Sequence, residues 1–224
     1  MPLSDVALAE KFGVEPPRSI VLFGPPGTGK TTFAKAVASR LHWPFVEVFP
    51  ARLAGDPRGL AGALRETFTK IGDLDNVVVF IDEVEEIASQ RGGEPPAPTQ
   101  GVTNELLKLI PLFRERPGRL LIVATNFIRA LDDAFLRHGR FDYVIPIGLP
   151  DEQARDSIWR RYIPHSSGDA VDLAEMVKRT DGFSPADIEY AARKASQRAL
   201  EAAVYDESGG GREGPSTEDY LWAI

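Results

Sequence analysis

Gly24, Gly27, Gly29, Lys30 and Thr31 stand in the order G-P-P-G-T-G-K-T near the start of this 224-residue chain. The spacing is that of G-x-x-x-x-G-K-[ST], and the chemistry it points to is the binding of a phosphate chain. Glycines let a loop curl until successive backbone N–H groups face one anion, and a helix that follows adds its positive N-terminal end. Lys30 is a point charge for β- and γ-phosphate oxygens, and Thr31 offers a hydroxyl to Mg²⁺. Pro25, Pro26, Thr28 and Thr32 complete the stretch expected to line a nucleotide. A plain Gly-Pro turn is the alternative, but the strand, loop, Lys-Thr and helix all follow in the required order.

Two further groups could act on a bound phosphate. Val77-Val78-Val79-Phe80-Ile81 ends in Asp82-Glu83. Acids at the carboxyl end of a buried strand lie where open α/β sheets bind ligands. Asp82 can hold Mg²⁺ through water, and Glu83 can orient or polarise an attacking water. Alone, such a pair is usually a solvated turn; beside a phosphate loop the catalytic reading gains. Leu120 to Ala124 likewise ends in Thr125-Asn126, and the Asn126 amide could bond both a γ-phosphate oxygen and the attacking water.

These residues need strands that end together. Ile20 to Phe23, Phe45 to Phe49, Val77 to Ile81, Leu120 to Ala124 and Tyr143 to Ile147 read as strands, the apolar runs among them as strands covered on both faces. Helices are expected between them. Thr32 to Leu41 carries Phe33, Val37 and Leu41 as a sheet-facing stripe, Leu60 to Ile71 carries Leu64, Phe68 and Ile71, and Val102 to Phe113 carries Leu106, Leu107, Leu109 and Ile110. Pro2 to Asp5 can cap a short first helix that Gly13 ends. The segments A-R-L-A-G-D-P-R-G and Ser89 to Gly101 read as loops, and Leu131 to Leu136 as a short helix. Beyond Gly148-Leu149-Pro150-Asp151 the pattern is helical: Glu152 to Tyr162, Leu173 to Thr180, and Ser184 to Val204 with Ser184-Pro185 at its start. Asp206 to Pro215 reads as a Gly-rich linker, and Ser216 to Asp219 as the cap of a last helix. The expected fold is α/β, a P-loop NTPase parallel sheet flanked by helices over residues 1–149, followed by a small all-helical lid over 150–224.

Composition narrows the function. A 43% hydrophobic content with 26% charged residues suits a soluble globular protein. The absence of cysteine excludes disulfides, thiolate metal sites and a cysteine nucleophile. A net charge of −7 disfavours broad nucleic-acid binding, and no apolar run of membrane-spanning length or signal sequence is present, so the cytoplasm is the expected compartment.

Together, G-P-P-G-T-G-K-T, V-V-V-F-I-D-E, A-T-N and L-R-H-G-R-F-D closely resemble the AAA+ ATPases, and within them the AAA clade of hexameric protein unfoldases and remodellers. The resemblance covers nearly the whole chain. It implies that Lys30 and Thr31 belong to Walker A, Asp82 and Glu83 to Walker B, and Asn126 to sensor 1. Arg137 and Arg140 match the arginine fingers that act on the ATP of a neighbouring subunit; by itself R-x-x-R would be a basic solvated turn. D-G-F-S-P-A-D-I-E resembles the clade's sensor 2 region, with Ala186 as its small residue and Pro185 in place of the usual Gly. Tyr162 falls where the family often has a His near the nucleoside. The implied cofactors are ATP and Mg²⁺, and the implied partners are copies of the chain in a homo-oligomeric ring, a hexamer, and a protein substrate.

The chain departs from that pattern in three ways. Gly55-Asp56-Pro57-Arg58-Gly59 stands where family unfoldases carry an aromatic-hydrophobic-Gly triplet that grips polypeptide. Pro111-Leu112-Phe113 replaces the D-G-F triplet many relatives use between subunits. The chain also begins at the helix just before the phosphate strand, as one module of a longer protein would. Two functions are therefore expected to compete: ATP hydrolysis coupled to remodelling or unfolding of a protein partner, and an ATP-dependent assembly or regulatory module with little threading.

Overall fold

The computed structural model describes residues 6–53, 55–88, 100–137, 139–205 and 214–224. By its internal contacts the chain divides into two units, Met1–Pro25 with Lys30–Ile147, and Pro26–Gly29 with Gly148–Ile224.

The first unit is a five-stranded sheet with helices. The strands are β1 (Ser19–Phe23), β2 (Phe45–Val48), β3 (Val77–Ile81), β4 (Arg119–Thr125) and β5 (Tyr143–Pro146). All pairings are parallel, in the order β2-β3-β4-β1-β5. This agrees with the expected α/β class. Side chains alternate across the sheet, as a pleated backbone requires. Val77, Val79, Ile81, Leu121 and Val123 join one core with Leu64, Phe68, Leu106 and Ile110, which come from α4 (Gly59–Ile71) and α5 (Gln100–Arg114). Val78, Phe80, Leu120 and Ile122 join the other, against Ala34 and Ala38 of α2 (Lys30–Leu41). Both faces are covered, which is why β3 and β4 are apolar without alternation.

Register is what places the chemistry. Phe23 pairs with Thr125, and Ile81 with Val123, so β1, β3 and β4 reach their carboxyl ends side by side. The loop that begins at Gly24, the acids Asp82-Glu83 and Asn126 therefore leave neighbouring strands at one edge.

Several local expectations need correction. The sheet-facing residues of α2 are Ala34 and Ala38, flanked by Val37 and Leu41, while Phe33 is 37% exposed. Two alanines bring the helix close to the sheet, and a phenylalanine would have held it off. Pro50–Leu53 is a one-turn helix (α3) that overlaps the start of the stretch read as loop. Proline suits a first helical turn, and Arg52 lies 4.3 Å over the Phe49 ring. Residues 131–136 are turn rather than helix: the Asp132 carboxylate accepts the Ala134 N–H at 2.7 Å, and its carbonyl accepts that of Phe135 at 2.7 Å. A side chain that captures local backbone in this way competes with helix. The helix expected from Val102 begins at Gln100. The first helix, α1, spans Val6–Lys11. The expected cap at Pro2 to Asp5, most of the loop after Ser89 and most of the Gly-rich linker lie outside the described residues.

The second unit holds α6 (Glu152–Tyr162), α7 (Leu173–Arg179), α8 (Pro185–Tyr205) and α9 (Thr217–Ala223). Trp159, Met176, Ile188, Ala191, Ala195 and Tyr220 form its core. The Trp159 indole donates to the Thr180 hydroxyl at 3.1 Å and meets Tyr220 edge-on with ring centres 5.7 Å apart. Ser184 and Asp187 bond reciprocally at the start of α8, and Ser216 and Asp219 form a capping box before α9. Among the described residues no helix is long and apolar enough to cross a membrane.

Candidate active site

β1 ends at Phe23, and two positions of the loop that follows are glycine for steric reasons. A Cβ on Gly24 would stand 2.0 Å from the Ile147 carbonyl oxygen, so no side chain fits. Gly27 has φ +75°, and a Cβ there would stand 2.9 Å from both Ala186 Cβ and Ser184 Oγ.

Lys30 opens α2 and is buried. Its ammonium donates to the carbonyls of Gly24 and Pro25 and to Asn126 Oδ1, each at 2.8 Å. Three acceptors use all three of its protons. Burial lowers the Lys30 pKa, and the nearby Asp82 and Glu85 carboxylates oppose that shift. Thr31 is next on the helix and donates its hydroxyl to Asp82 Oδ2 at 3.0 Å. The structure thus brings Lys30, Thr31, Asp82 and Asn126 together from α2, the end of β3 and the end of β4.

Glu83 is exposed and adopts a left-handed conformation, φ 50° and ψ 45°. A non-glycine residue held there costs energy, of order 1–3 kcal/mol, and such strain clusters at functional sites. Its N–H bonds Asp82 Oδ1 at 2.9 Å, and the chain then turns into the 3₁₀ segment Val84–Glu86. That segment supplies a residue the sequence reading missed. Glu85 Oε1 accepts the Asn126 N–H at 3.1 Å, while its buried Oε2 has no hydrogen-bond partner among the described residues. The acid-rich run D-E-V-E-E was the available signal, but nothing in the spacing said which acid would turn toward β4.

A buried ammonium, a hydroxyl paired with a carboxylate, and a glycine after β1 with no room for a side chain fit a phosphate chain carrying a divalent cation. Lys30 would meet phosphate oxygens, and Thr31 with Asp82 would hold Mg²⁺.

Arg137 and Arg140 are not part of this hydrogen-bonded group. Arg137 is exposed, and its guanidinium has no partner among the described residues. The Arg140 guanidinium turns back on its own chain and donates to the Ala134 carbonyl. No hydrogen bond or ion pair among the described residues joins either arginine to Lys30, Thr31, Asp82, Glu83 or Asn126. In the second unit Pro185 is the first residue of α8, and the Ala186 N–H donates to the Gly27 carbonyl at 3.2 Å. The Tyr162 hydroxyl donates to Glu189 at 3.0 Å, and burial, then that bond, raise its pKa. Pro25 and Pro26 are exposed, Thr28 is buried, Gly29 is half-buried, and Thr32 is exposed on α2.

A family model described as "ATPase family associated with various cellular activities (AAA)" matches residues 20–149, and one described as "AAA+ lid domain" matches 170–204. The chain is 34% identical, over its whole length and 54% of the relative, to the proteasome-activating nucleotidase of Methanococcus vannielii. It is 36% identical to the cell division cycle protein 48 homolog of Archaeoglobus fulgidus, over 89% of this chain and 28% of that protein. It is also 36% identical to the ATP-dependent zinc metalloprotease FtsH of Mycoplasmoides gallisepticum, over 86% of this chain and 26% of that protein. The chain spans between about a quarter and about a half of the length of these curated relatives.

Proposed function

The chain belongs to the ATPase family associated with various cellular activities, and on that premise we propose that it hydrolyses ATP with Mg²⁺ and uses the cycle to remodel a protein partner. The observation that carries this reading is the bonding of Lys30 to Asn126 and of Thr31 to Asp82 at one edge of a parallel sheet. Bound Mg²⁺ would neutralise charge on the phosphate oxygens. The protein's own residues do the rest. Lys30 holds the phosphates, Thr31 and Asp82 hold the metal, Asn126 fixes a phosphoryl oxygen or the attacking water, and Glu83 orients that water. Little covalent chemistry is asked of the protein, so positioning and charge supply most of the acceleration.

Residues 1–149 are assigned as the nucleotide-binding subdomain and 150–224 as the lid, with Pro26 to Gly29, Pro185, Ala186 and Tyr162 as further nucleotide contacts. The active form is a homo-oligomeric ring, a hexamer, in which Arg137 and Arg140 act on the neighbour's ATP. The exposure of Arg137 supports this for that residue, whereas Arg140 already serves its own turn.

A second reading, an assembly or regulatory module, is favoured by the loop after β2. Arg58 grips Asp56 with two side-chain bonds, at 2.8 and 2.7 Å, and also pairs with Glu66, which Lys70 meets at 2.7 Å. Arg58 holds the Asp56 carboxyl at about 2, below the usual carboxylate range. A charged, self-satisfied loop offers no grip on an apolar chain.

Complementation tests the main reading. An arginine supplied in trans can be worth ~10³ to 10⁵ in rate. Arg137→Ala should cut turnover steeply while ATP affinity stays within about twofold, since such an arginine acts in the transition state. Mixing it with an equal pool of Glu83→Gln should restore activity at about one interface in four, those joining an intact Glu83 to an intact Arg137. High activity in a monomer, independent of concentration, would overturn the assignment.

A further inference from the structure

Arg114 closes α5, far in sequence from both arginines of the R-x-x-R turn, yet its side chain ends on that turn. Nη1 donates to the Gly139 carbonyl at 2.5 Å, and Nη2 meets Asp142 Oδ1 at 2.5 Å. The pair is largely screened from solvent, with side-chain exposures of 18% for Arg114 and 29% for Asp142. The other Asp142 oxygen is also in use: Oδ2 accepts from the N–H groups of Arg18 and Ser19 at 2.8 and 3.0 Å and from the Ser19 hydroxyl at 3.2 Å. The one Ser19 hydroxyl proton is shared between that oxygen and the Arg140 carbonyl, the nearer acceptor at 2.7 Å. Arg18 returns to α5 by donating to the Arg114 carbonyl at 2.5 Å.

Beneath the turn, the Phe135 and Phe141 rings stand 5.0 Å apart, with Phe135 fully buried. Residues 139–142 are therefore held from three sides: by the end of α5, by the start of β1 and by the core. Only the Arg137 guanidinium, on the same turn, projects without a partner among the described residues. A flexible side chain on a fixed backbone loses less freedom when it binds than one on a mobile loop.

We propose that Arg114 and Asp142 are positioning residues that hold the turn bearing Arg137 in the geometry needed to reach a neighbouring copy's phosphates. This rests on the trans role of Arg137. A planar guanidinium suits the job because it can bond a carbonyl and a carboxylate at once, which an ammonium cannot do in the same plane. The defect on removing it should fall on the subunit that donates the arginine and spare that subunit's own nucleotide site.

The experiment uses the assembled protein carrying Arg114→Ala, Arg114→Lys or Asp142→Asn. Misplacing a catalytic group by about 1 Å can cost on the order of a hundredfold. Arg114→Ala should lower kcat by roughly ten- to a hundredfold with KM within about twofold. Arg114→Lys, which keeps one of the two bonds, should recover part of the loss, and Asp142→Asn, which keeps the shape, should show a smaller defect of the same kind. Mixing Arg114→Ala with Glu83→Gln should restore activity to the level that Arg137→Ala reaches in the same mixture. If Arg114→Ala turns over at the unmodified rate while Arg137→Ala is inactive and complemented, the positioning role is wrong and the trans arginine stands. If Arg114→Ala is inactive and not complemented while Arg137→Ala is, Arg114 serves its own subunit and the inference fails. If Arg137→Ala is itself not complemented, the trans reading falls and the inference with it.

Discussion

At the scale of single residues, the jobs proposed for Lys30 and Glu83 are separable, and the two side chains stand in different settings. Lys30 is buried and bonded to three acceptors, so it is a fixed charge with a defined direction. Glu83 is exposed and strained, with only its backbone tied to Asp82. Lys30→Ala should therefore abolish measurable ATP binding. Glu83→Gln keeps the side chain's shape and loses its charge, so it should bind ATP within about threefold of the unmodified protein and lose on the order of a hundredfold or more in turnover. Fluorescent-nucleotide titration and phosphate release measure the two effects. Near-normal hydrolysis by Glu83→Gln would remove that residue from the reaction.

At the scale of elements, the close approach of α2 to the sheet rests on Ala34 and Ala38, 0% and 2% exposed, against Phe80 and Ile122. Ala38→Leu should cost about 1–3 kcal/mol by overpacking. Phe33→Ala should cost on the order of 1 kcal/mol or less, because Phe33 faces outward. Urea unfolding of both variants checks this, and the reverse order would restore the expectation that Phe33 packs on the sheet. In the helical unit, burial pushes the Tyr220 hydroxyl up to about 12 from an ordinary value near 10. A raised pKa on a neutral acid means that its contribution is intact below pH 10 and is lost as pH rises toward 12. The loss is on the order of 2–3 kcal/mol. Tyr220→Phe has no hydroxyl to ionise, so the unmodified protein should lose stability relative to it between pH 10 and 12. Thermal unfolding followed by tryptophan fluorescence at pH 9, 10 and 11 reads the difference, and a constant gap would count against it.

At the scale of the whole molecule, the question is what the proposed ATPase cycle would drive. Asp56, Arg58, Glu66 and Lys70 are joined by ion pairs, and no aromatic residue stands at Gly55 to Gly59. Assembled protein should therefore unfold a stable tagged substrate at a rate near background, whatever its ATPase rate. Replacing Asp56 and Pro57 with an aromatic-hydrophobic pair should raise threading if the ring is otherwise competent. Robust unfolding by the unmodified assembly, unaffected by changes in this loop, would place the grip elsewhere.

The sequence alone determined the Gly-rich loop after β1, the acids that follow β3, the place of Asn126 after β4 and the parallel α/β class, because each rests on local rules. A Gly-rich loop between strand and helix, and apolar runs too uniform for a half-exposed sheet, announce themselves within a few residues. The caps at Ser184 and Ser216 were legible for the same reason. What only the tertiary structure decided depends on partners far apart in the chain. That Ala34 and Ala38, rather than Phe33, face the sheet depends on how closely α2 approaches it, and hydrophobicity alone favours the larger residue. Asp132 turns residues 131–136 away from helix by capturing its own backbone, against a pattern that read as helical. Glu85 reaches Asn126 across 41 residues, and Arg114 reaches Gly139 and Asp142 across 25 and 28. Charged residues at the ends of elements and in short turns follow no periodicity, so only the closing of the sheet shows which of them meet.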